Sequence, residues 1–389
     1  MRTLSVALPK TFTISVRKIT MIVLYGYMGL SIFEGYISAA LGPVSRYYIF
    51  ALIILLLFSG KKLTVQWPQV FLILWYLLYL CSALWAPPEA AGQMTLYFMS
   101  VTSMVILYVV FVGQEFTLKE MNNILLFYQI CSVALGVLGI FFSVESGAGT
   151  RKTLVLFGNT IDPNNLVALY GIGSGLALYS LMFRKEYKLF NLLCVAVNAY
   201  CILLSGSRSG IILLAAQLTI VCLLGERTES KSDKAKRVMG VICLLLVVVG
   251  LGVQFVPEDI LNRAFGLGNL SFFDGTGRED RWQHAIDLWL ENGFLFGCGW
   301  GAYEAHGTFF TMLVDVGLVG VALFGTLLCG IVIISCRKSM MLPIMILITG
   351  MLPSFFIGAQ NRRFFWNALI LSTVLAIQKA KIKTLNDMR

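Results

Sequence analysis

Arg208 stands in the stretch Ser207-Arg208-Ser209-Gly210, between two apolar runs. Its neighbours are small and carry hydroxyls, which leaves room and hydrogen-bond donors around the guanidinium. Further along, Thr276-Gly277-Arg278-Glu279 has the spacing of a helix capping box. Trp282, Ile286 and Trp289 follow at helical spacing, and Asn292-Gly293 can close that helix. Arg278 then falls in its first turn and Arg281 one turn on, on roughly one face. Guanidinium is a planar fork of donors that matches a phosphate, whereas ammonium is a point charge. The chemistry these arginines fit is the holding of a phosphate or diphosphate. The competing reading is a surface helix with snorkelling arginines, or ordinary ion pairs in loops.

The chain has two histidines, His284 and His306. His306 follows the glycine-rich Gly297-Cys298-Gly299-Trp300-Gly301 and precedes a long apolar run. A neutral imidazole there can accept a proton from a hydroxyl. His284 reads as an ordinary helix position. The glycine-rich stretch resembles a nucleotide loop only superficially, because no strand precedes it and no Rossmann helix follows; it reads as a flexible turn returning the chain to the membrane. Asp162-Pro163-Asn164-Asn165 has Asp as N-cap and Pro at the first helical position. No DxD or ExD pair and no histidine cluster stands in the loops of that face, so a metal site is not expected. Glu34 and Asp315 fall within apolar runs, where carboxylates are costly and often functional. Asp315, nine residues beyond His306, is expected deeper and on the opposite helix face.

The elements that must position these residues are membrane helices. The chain of 389 residues is 58% hydrophobic and 13% charged, with mean hydropathy +0.81. That balance excludes an ordinary soluble domain. Continuous apolar runs such as Val238 to Val256 exclude a β-barrel, whose strands alternate. About twelve helices are expected, near residues 19–40, 46–60, 67–86, 93–112, 121–143, 163–183, 188–204, 210–225, 237–256, 307–335, 340–357 and 364–378. The whole chain reads as one all-α membrane domain with a large outer loop at 257–306. The nine cysteines form no CxxC pair and read as small hydrophobes. The basic residues before the first run, Arg2, Lys10, Arg17 and Lys18, read as the flank of an uncleaved first helix.

Lysine sets the orientation. Lys61-Lys62, Arg184 to Lys188, Glu226 to Arg237, Arg337-Lys338 and the basic end after Lys379 share one side with the N-terminus. That side is expected to be cytoplasmic and holds 14 of the 15 lysines, Lys152 being the exception. Arginine breaks the pattern: Arg46, Arg151, Arg208, Arg263, Arg278, Arg281, Arg362 and Arg363, 8 of 15, fall outside. The net charge of +10 is therefore topological, and a nucleic-acid partner is not expected.

These pieces, in this order, resemble the O-antigen ligase and polysaccharide polymerase family of bacterial membrane glycosyltransferases. The resemblance covers about residues 155–325 and closes on Leu318-Val319-Gly320. Gly307 stands where the family often has Asn after the histidine. The resemblance implies an all-helical type C fold and a donor glycan on undecaprenyl diphosphate. Its acceptor would be a sugar on a second lipid-linked glycan or on lipid A-core, with no cofactor. It implies that His306 activates the acceptor hydroxyl and that Arg208 and Arg278 hold the diphosphate; Arg281, on the same helix face as Arg278, is expected to join them. Asp162, Asn164, Ser207 and Arg151 would support them. Membrane lipids surround such an enzyme, and a chain-length regulator or flippase is a candidate partner. The different-class alternative is a transporter or flippase of lipid-linked sugars.

The orientation is tested by single cysteines in a variant without native cysteines. Cysteine at Ser146, Ser209 or Thr276 is expected to react with an impermeant maleimide in intact cells, and cysteine at Ser230 or Ser339 is not. Labelling at Ser230 alone would invert the topology.

Overall fold

The computed structural model describes residues 15–59, 63–146, 151–184, 187–224, 230–265 and 277–387. Arg2, Lys10, Lys61, Lys62, Lys185, Glu186, Glu226, Arg227, Thr276 and Arg389 lie outside them, and the side chains of Lys379, Lys381 and Lys383 are likewise not described. The described residues are overwhelmingly helical. In chain order the helices are α1 (Val16–Leu41), α2 (Val44–Ser59), α3 (Trp67–Ser82), α4 (Ala91–Gly113) and α5 (Leu118–Phe141). Then come α6 (Pro163–Tyr179), α7 (Lys188–Leu204), α8 (Arg208–Leu223), α9 (Lys231–Phe255), α10 (Glu258–Phe265) and α11 (Arg278–Asn292). The chain ends with α12 (Thr308–Arg337), α13 (Met341–Ser354) and α14 (Arg363–Asp387).

A helix occupies each of the twelve apolar runs. Five, namely α1, α4, α5, α6 with its π-turn extension to Arg184, and α12, are long and apolar enough to cross a membrane. Helices α2, α3, α7, α8, α13 and the first part of α14 are apolar but shorter. Large apolar side chains such as Ile22, Ile54, Leu77, Leu193, Leu246 and Ile333 are exposed around the bundle. In water such a surface would be a liability; against lipid it is the natural exterior. At the centre α13 packs against both α6 and α14, with nearly every described residue of α6 buried. Trp75, Phe324, Phe365 and Trp366, from α3, α12 and α14, form a connected aromatic cluster.

The loops collect at two ends. At one, Arg17 pairs with Glu120 and Thr64 N–H bonds to Gly113 O, tying α1, α3, α4 and α5 together. At the other, Arg363 pairs with Glu34, Trp85 Nε1 bonds to Gly297 O, and Thr308 is bonded to the α13–α14 loop. The carboxylate of Glu34 is thus matched within the fold, by Arg363 at 3.0 Å and Ser45 Oγ at 2.7 Å.

Two features depart from the sequence reading. A short antiparallel sheet, β1 (Ser143–Glu145), β2 (Lys152–Leu156) and β3 (Asn159–Thr160), joins α5 to α6 and adds strands to the expected all-α fold. Helix α12 is broken at Gly317, whose φ of 62° and ψ of −163° is a region open almost only to glycine. An unbroken helix of 30 residues would be about 45 Å long, well beyond the apolar thickness of a bilayer. The break separates a short piece next to His306 from a longer apolar piece that begins at Leu318. The N–H groups freed there are not orphaned, because Leu318 N–H bonds to Phe294 O and Val319 N–H to Leu295 O, each at 3.0 Å.

The glycine-rich stretch is packed, not a loose turn. Cys298 N–H bonds to Val314 O, Gly299 N–H to Asp315 O and Gly301 N–H to the Asp315 carboxylate. Trp300 is buried between Tyr79 and Phe98. Asp315 therefore holds this loop against α12, with Tyr79 as a second donor. The structure also narrows the labelling set: Ser209 is buried, at 3% exposed, and leaves Ser146 as the outer probe.

A Cβ at Gly317 would lie 2.5 Å from backbone atoms of Gly297 and Leu295. Gly317→Val is therefore expected to lower unfolding stability by roughly 2–4 kcal/mol, combining backbone strain and overpacking. Gly325→Ala on the same helix, where a Cβ meets nothing within 4 Å, is expected to be neutral or stabilising. Thermal unfolding in detergent compares the two.

Candidate functional site

The β-sheet fixes the segment before α6. Tyr36 Oη donates to Leu154 O at 2.9 Å, and Thr153 Oγ1 donates to Ile161 O. This delivers Asp162 to the N-cap of α6, as its spacing predicts, with Pro163 at the first position. Asp162 Oδ1 accepts from Asn164 N–H at 2.8 Å and from Asn164 Nδ2 at 2.9 Å. Asn164 Oδ1 in turn accepts from Arg151 Nη2 at 2.9 Å and from Ser207 Oγ at 2.7 Å. Ser207 and Ser209 share a hydrogen bond of 2.8 Å, and Arg151 Nε points to Ser205 O at 3.4 Å. One carboxamide thus joins the sheet, α6 and the turn between α7 and α8.

Arg208 is the first residue of α8, and its Nε lies 3.4 Å from the carbonyl of Arg263 on α10. Arg278 opens α11. Burial lowers the pKa of Arg278 from the usual arginine range, Asp162 opposes that shift, and the nearby charges of Arg263 and Arg208 add to it. Arg151 is lowered in the same way, by burial first, with Asp162 opposing and Arg263 and Arg278 adding. Arg263 is lowered by burial and by Arg208. Arg263 thus stands within electrostatic reach of Arg151, Arg208 and Arg278, and Asp162 within reach of Arg151 and Arg278.

The N-termini of α6 and α8 also meet here, through Asn164 and Ser207, each carrying the positive end of a helix dipole. Guanidinium groups and helix N-termini oppose one another unless an anion lies between them. The arrangement can bind a multivalent anion such as a diphosphate and stabilise negative charge that develops on it.

His306 lies one step outside α12, whose N-cap is Gly307. Its own φ is +51°, a left-handed conformation uncommon for a side-chain-bearing residue. Neighbouring bonds hold it: Ala305 N–H donates to Thr311 Oγ1, and Thr308 bonds to Ile357 O and Ala359 N–H. The imidazole is half exposed, with Nδ1 3.9 Å from Glu304 Oε1. A Cβ at Gly307 would meet Phe355 O at 2.7 Å and Trp282 Nε1 at 3.2 Å. Glycine is required here by close packing, which accounts for the absence of the Asn expected by resemblance.

Helix α11 connects the two centres. Trp282 stacks on Phe310 with ring centroids 4.9 Å apart, behind the His306 turn. Arg278 lies one turn earlier, about 6 Å along the axis, and reaches the arginine cluster.

The structure brings together Arg151, Asp162, Asn164, Ser207, Arg208 and Arg278 from the sequence-derived set. It adds Arg263, noticed in the sequence only as an outer arginine. Arg281 is exposed, and among the described residues no hydrogen bond or ion pair ties it to the cluster. The N-cap of α11 is Gly277, at φ +60°, in place of Thr276. His284 packs edge-on against Tyr303, away from this geometry.

Residues 192–325 match the family model described as O-antigen ligase. This part of the chain is similar to that family. The match contains Arg208, Arg263, Arg278 and His306, while Arg151, Asp162 and Asn164 precede it. No curated protein matches the chain.

The cluster is testable without any knowledge of turnover. Inorganic pyrophosphate is expected to raise the thermal midpoint of the purified protein at low salt, and the effect should shrink as ionic strength rises. Arg263→Gln should remove most of the shift. An unchanged shift would place the anion elsewhere.

Proposed function

We propose that this protein is a glycosyltransferase that polymerises undecaprenyl-diphosphate-linked oligosaccharide repeat units on the outer face of the cytoplasmic membrane. The observation that carries the reading is the position of the arginine cluster above an apolar cavity. That cavity, about 510 Å³, lies among α6, α7, α8, α9 and α10 and is lined by residues such as Leu203, Ile211, Leu214, Leu261 and Phe265. Arg208 begins the helix that carries Ile211 and Leu214, and Arg263 sits between Leu261 and Phe265. A charged head site directly over an apolar groove fits a lipid diphosphate better than a soluble nucleotide.

In this mechanism Arg208, Arg278, Arg263 and Arg151 hold the diphosphate. His306 takes the proton of the acceptor hydroxyl, and Glu304 orients the imidazole. The hydroxyl oxygen bonds to the anomeric carbon as the bond from that carbon to the phosphate oxygen breaks. The electron pair leaves on undecaprenyl diphosphate, and the guanidinium groups stabilise that charge. Direct displacement of this kind inverts the anomeric centre. The arginines supply the electrostatic role that a metal ion fills elsewhere, so the step needs no metal.

The second reading is a ligase that transfers finished glycan to lipid A-core, favoured by the description of the matching family model. A transporter is disfavoured because the charged cluster sits at one end of the bundle, whereas transporters place such groups near the midplane. The proposed location is the inner membrane, with both termini cytoplasmic.

His306→Ala is expected to reduce turnover of a synthetic undecaprenyl-diphosphate oligosaccharide by about 10²–10⁴, the usual loss for a general base. His284→Ala should stay near wild type, and equal activity of the two would remove His306 from the mechanism. Arg208→Lys keeps the charge and loses the fork, so it should fold and yet lose most activity. In a deletion strain, single repeats on lipid A-core indicate a polymerase, and long chains left on undecaprenyl diphosphate indicate a ligase.

A further inference from the structure

A polar cavity of about 650 Å³ lies between α1, α2, α6 and the start of α14. Of the residues in the arginine cluster, only Asp162 lines it. Three helices begin at its wall. Ser45 and Arg46 come from the first turn of α2, Asp162 and Asn165 from the start of α6, and Arg363 and Phe364 from the start of α14. Helix N-termini carry partial positive charge. Here they stand with three guanidinium groups, since Arg362 also lines the space. Two carboxylates, Glu34 and Asp162, face those three arginines, so the lining is net positive.

Both carboxylates are already engaged. Glu34 Oε1 accepts from Ser45 Oγ at 2.7 Å and faces Arg363 Nε at 3.0 Å. Asp162 caps α6 through Asn164 N–H and stands within electrostatic reach of Arg151 and Arg278. The guanidinium groups are not matched in this way. Arg363 is 2% exposed, yet its Nη1 has no hydrogen-bond partner. Among the described residues no hydrogen bond or ion pair engages Arg46 or Arg362. Buried polar groups rarely stay unmatched, and a charged donor is the costliest to leave so. An anion answers all three groups.

Asn165 narrows the choice. Its Oδ1 is buried without a partner and needs a donor. A phosphate group accepts from the guanidinium groups in their planar fork, and a hydroxyl donates to the carboxamide. A neutral sugar would leave the positive charge unanswered. The cavity is far larger than a bare phosphate and within the range of small-molecule sites. A phosphate ester of a polyol, such as glycerol phosphate, carries both groups. Two sources share that chemistry, a water-soluble ester and the headgroup of a membrane lipid. The turn between α1 and α2 lines the cavity at Gly42 and Pro43, and beside it Leu41 and Tyr47 are each 72% exposed on the outside of the bundle.

We propose that this cavity is a second anion site, which binds the phosphate group of a polyol phosphate ester through Arg46, Arg362 and Arg363. None of these arginines takes part in the displacement described above, and the assignment does not depend on the transferase reading.

The test uses full-length protein in nanodiscs and reads the thermal midpoint at low salt. One arm adds sn-glycerol 3-phosphate to protein in discs of phosphatidylcholine alone. The other replaces part of the phosphatidylcholine with phosphatidylglycerol. Wild type is compared with Arg46→Gln and Arg362→Gln, whose side chains are half-buried and exposed, so neither change endangers the fold. Arg263→Gln serves as the variant of the arginine cluster. The wild-type midpoint is expected to rise in at least one arm, and the responding arm identifies the source. Arg46→Gln and Arg362→Gln should each weaken the apparent affinity by about tenfold, the scale of one lost charge-assisted hydrogen bond. Arg263→Gln should keep it.

No rise for wild type in either arm would overturn the assignment. So would a rise that both cavity variants retain in full, which would put the ester elsewhere. A rise that Arg263→Gln removes would also overturn it, because the ester would then be bound at the arginine cluster. Each of these outcomes leaves the transferase reading to its own test, the turnover of the His306 variant.

Discussion

Guanidinium groups repel one another, and this fold gathers four of them, with one carboxylate, Asp162, beside Arg151 and Arg278. Arg151, Arg208, Arg263 and Arg278 come from the residue before β2, α8, α10 and α11, and the N-termini of α6 and α8 add partial positive charge. None of this stabilises the empty protein. The arrangement persists because the elements that carry it are fixed by other means: the core of α6, α13 and α14, and the bonds of Asn164 to Arg151, Ser207 and Asp162. An anion with two or more charges removes the repulsion, so the energy stored in the empty site becomes binding energy. The site is organised for a ligand before the ligand arrives, as electrostatic preorganisation requires.

A second constraint is geometric. His306 has to remain at the surface although it directly precedes a long apolar helix. The break at Gly317 makes this possible, since the short first piece of α12 can turn with the glycine-rich loop independently of the long apolar piece. Asp315 and the carbonyls of Phe294 and Leu295 satisfy the backbone groups around the break. The close packing of Gly307 against Trp282 then ties the histidine to α11, which also carries Arg278. Loop, break and helix form one mechanical unit between the two catalytic elements of the proposal.

Hydropathy made the helices legible, because an apolar run of membrane length has few other uses. The arginines of the cluster were legible as a set, since lysine had been excluded from that side and arginine had not. Arg263 was harder to single out: α10 has only eight residues, and no motif marks it. The sheet at 143–160 is too short to show an alternating pattern. Gly317 lies inside an apolar stretch interrupted only by Asp315, where composition cannot distinguish a straight helix from a broken one. Arg281 is exposed one turn beyond Arg278, since spacing on a helix gives the side of the helix and not what faces it. The Glu34–Arg363 pair joins residues from opposite ends of the chain, a contact that only folding reveals.

The central claim is that a lipid diphosphate sits among the four arginines, with its tail in the groove below. Cryo-electron microscopy of the protein in nanodiscs loaded with undecaprenyl diphosphate measures this directly. The account predicts diphosphate density bounded by Arg151, Arg208, Arg263 and Arg278, with the isoprenoid chain running between Ile211 and Leu261. Ordered undecaprenyl diphosphate bound elsewhere, with the arginine cluster empty, would contradict it.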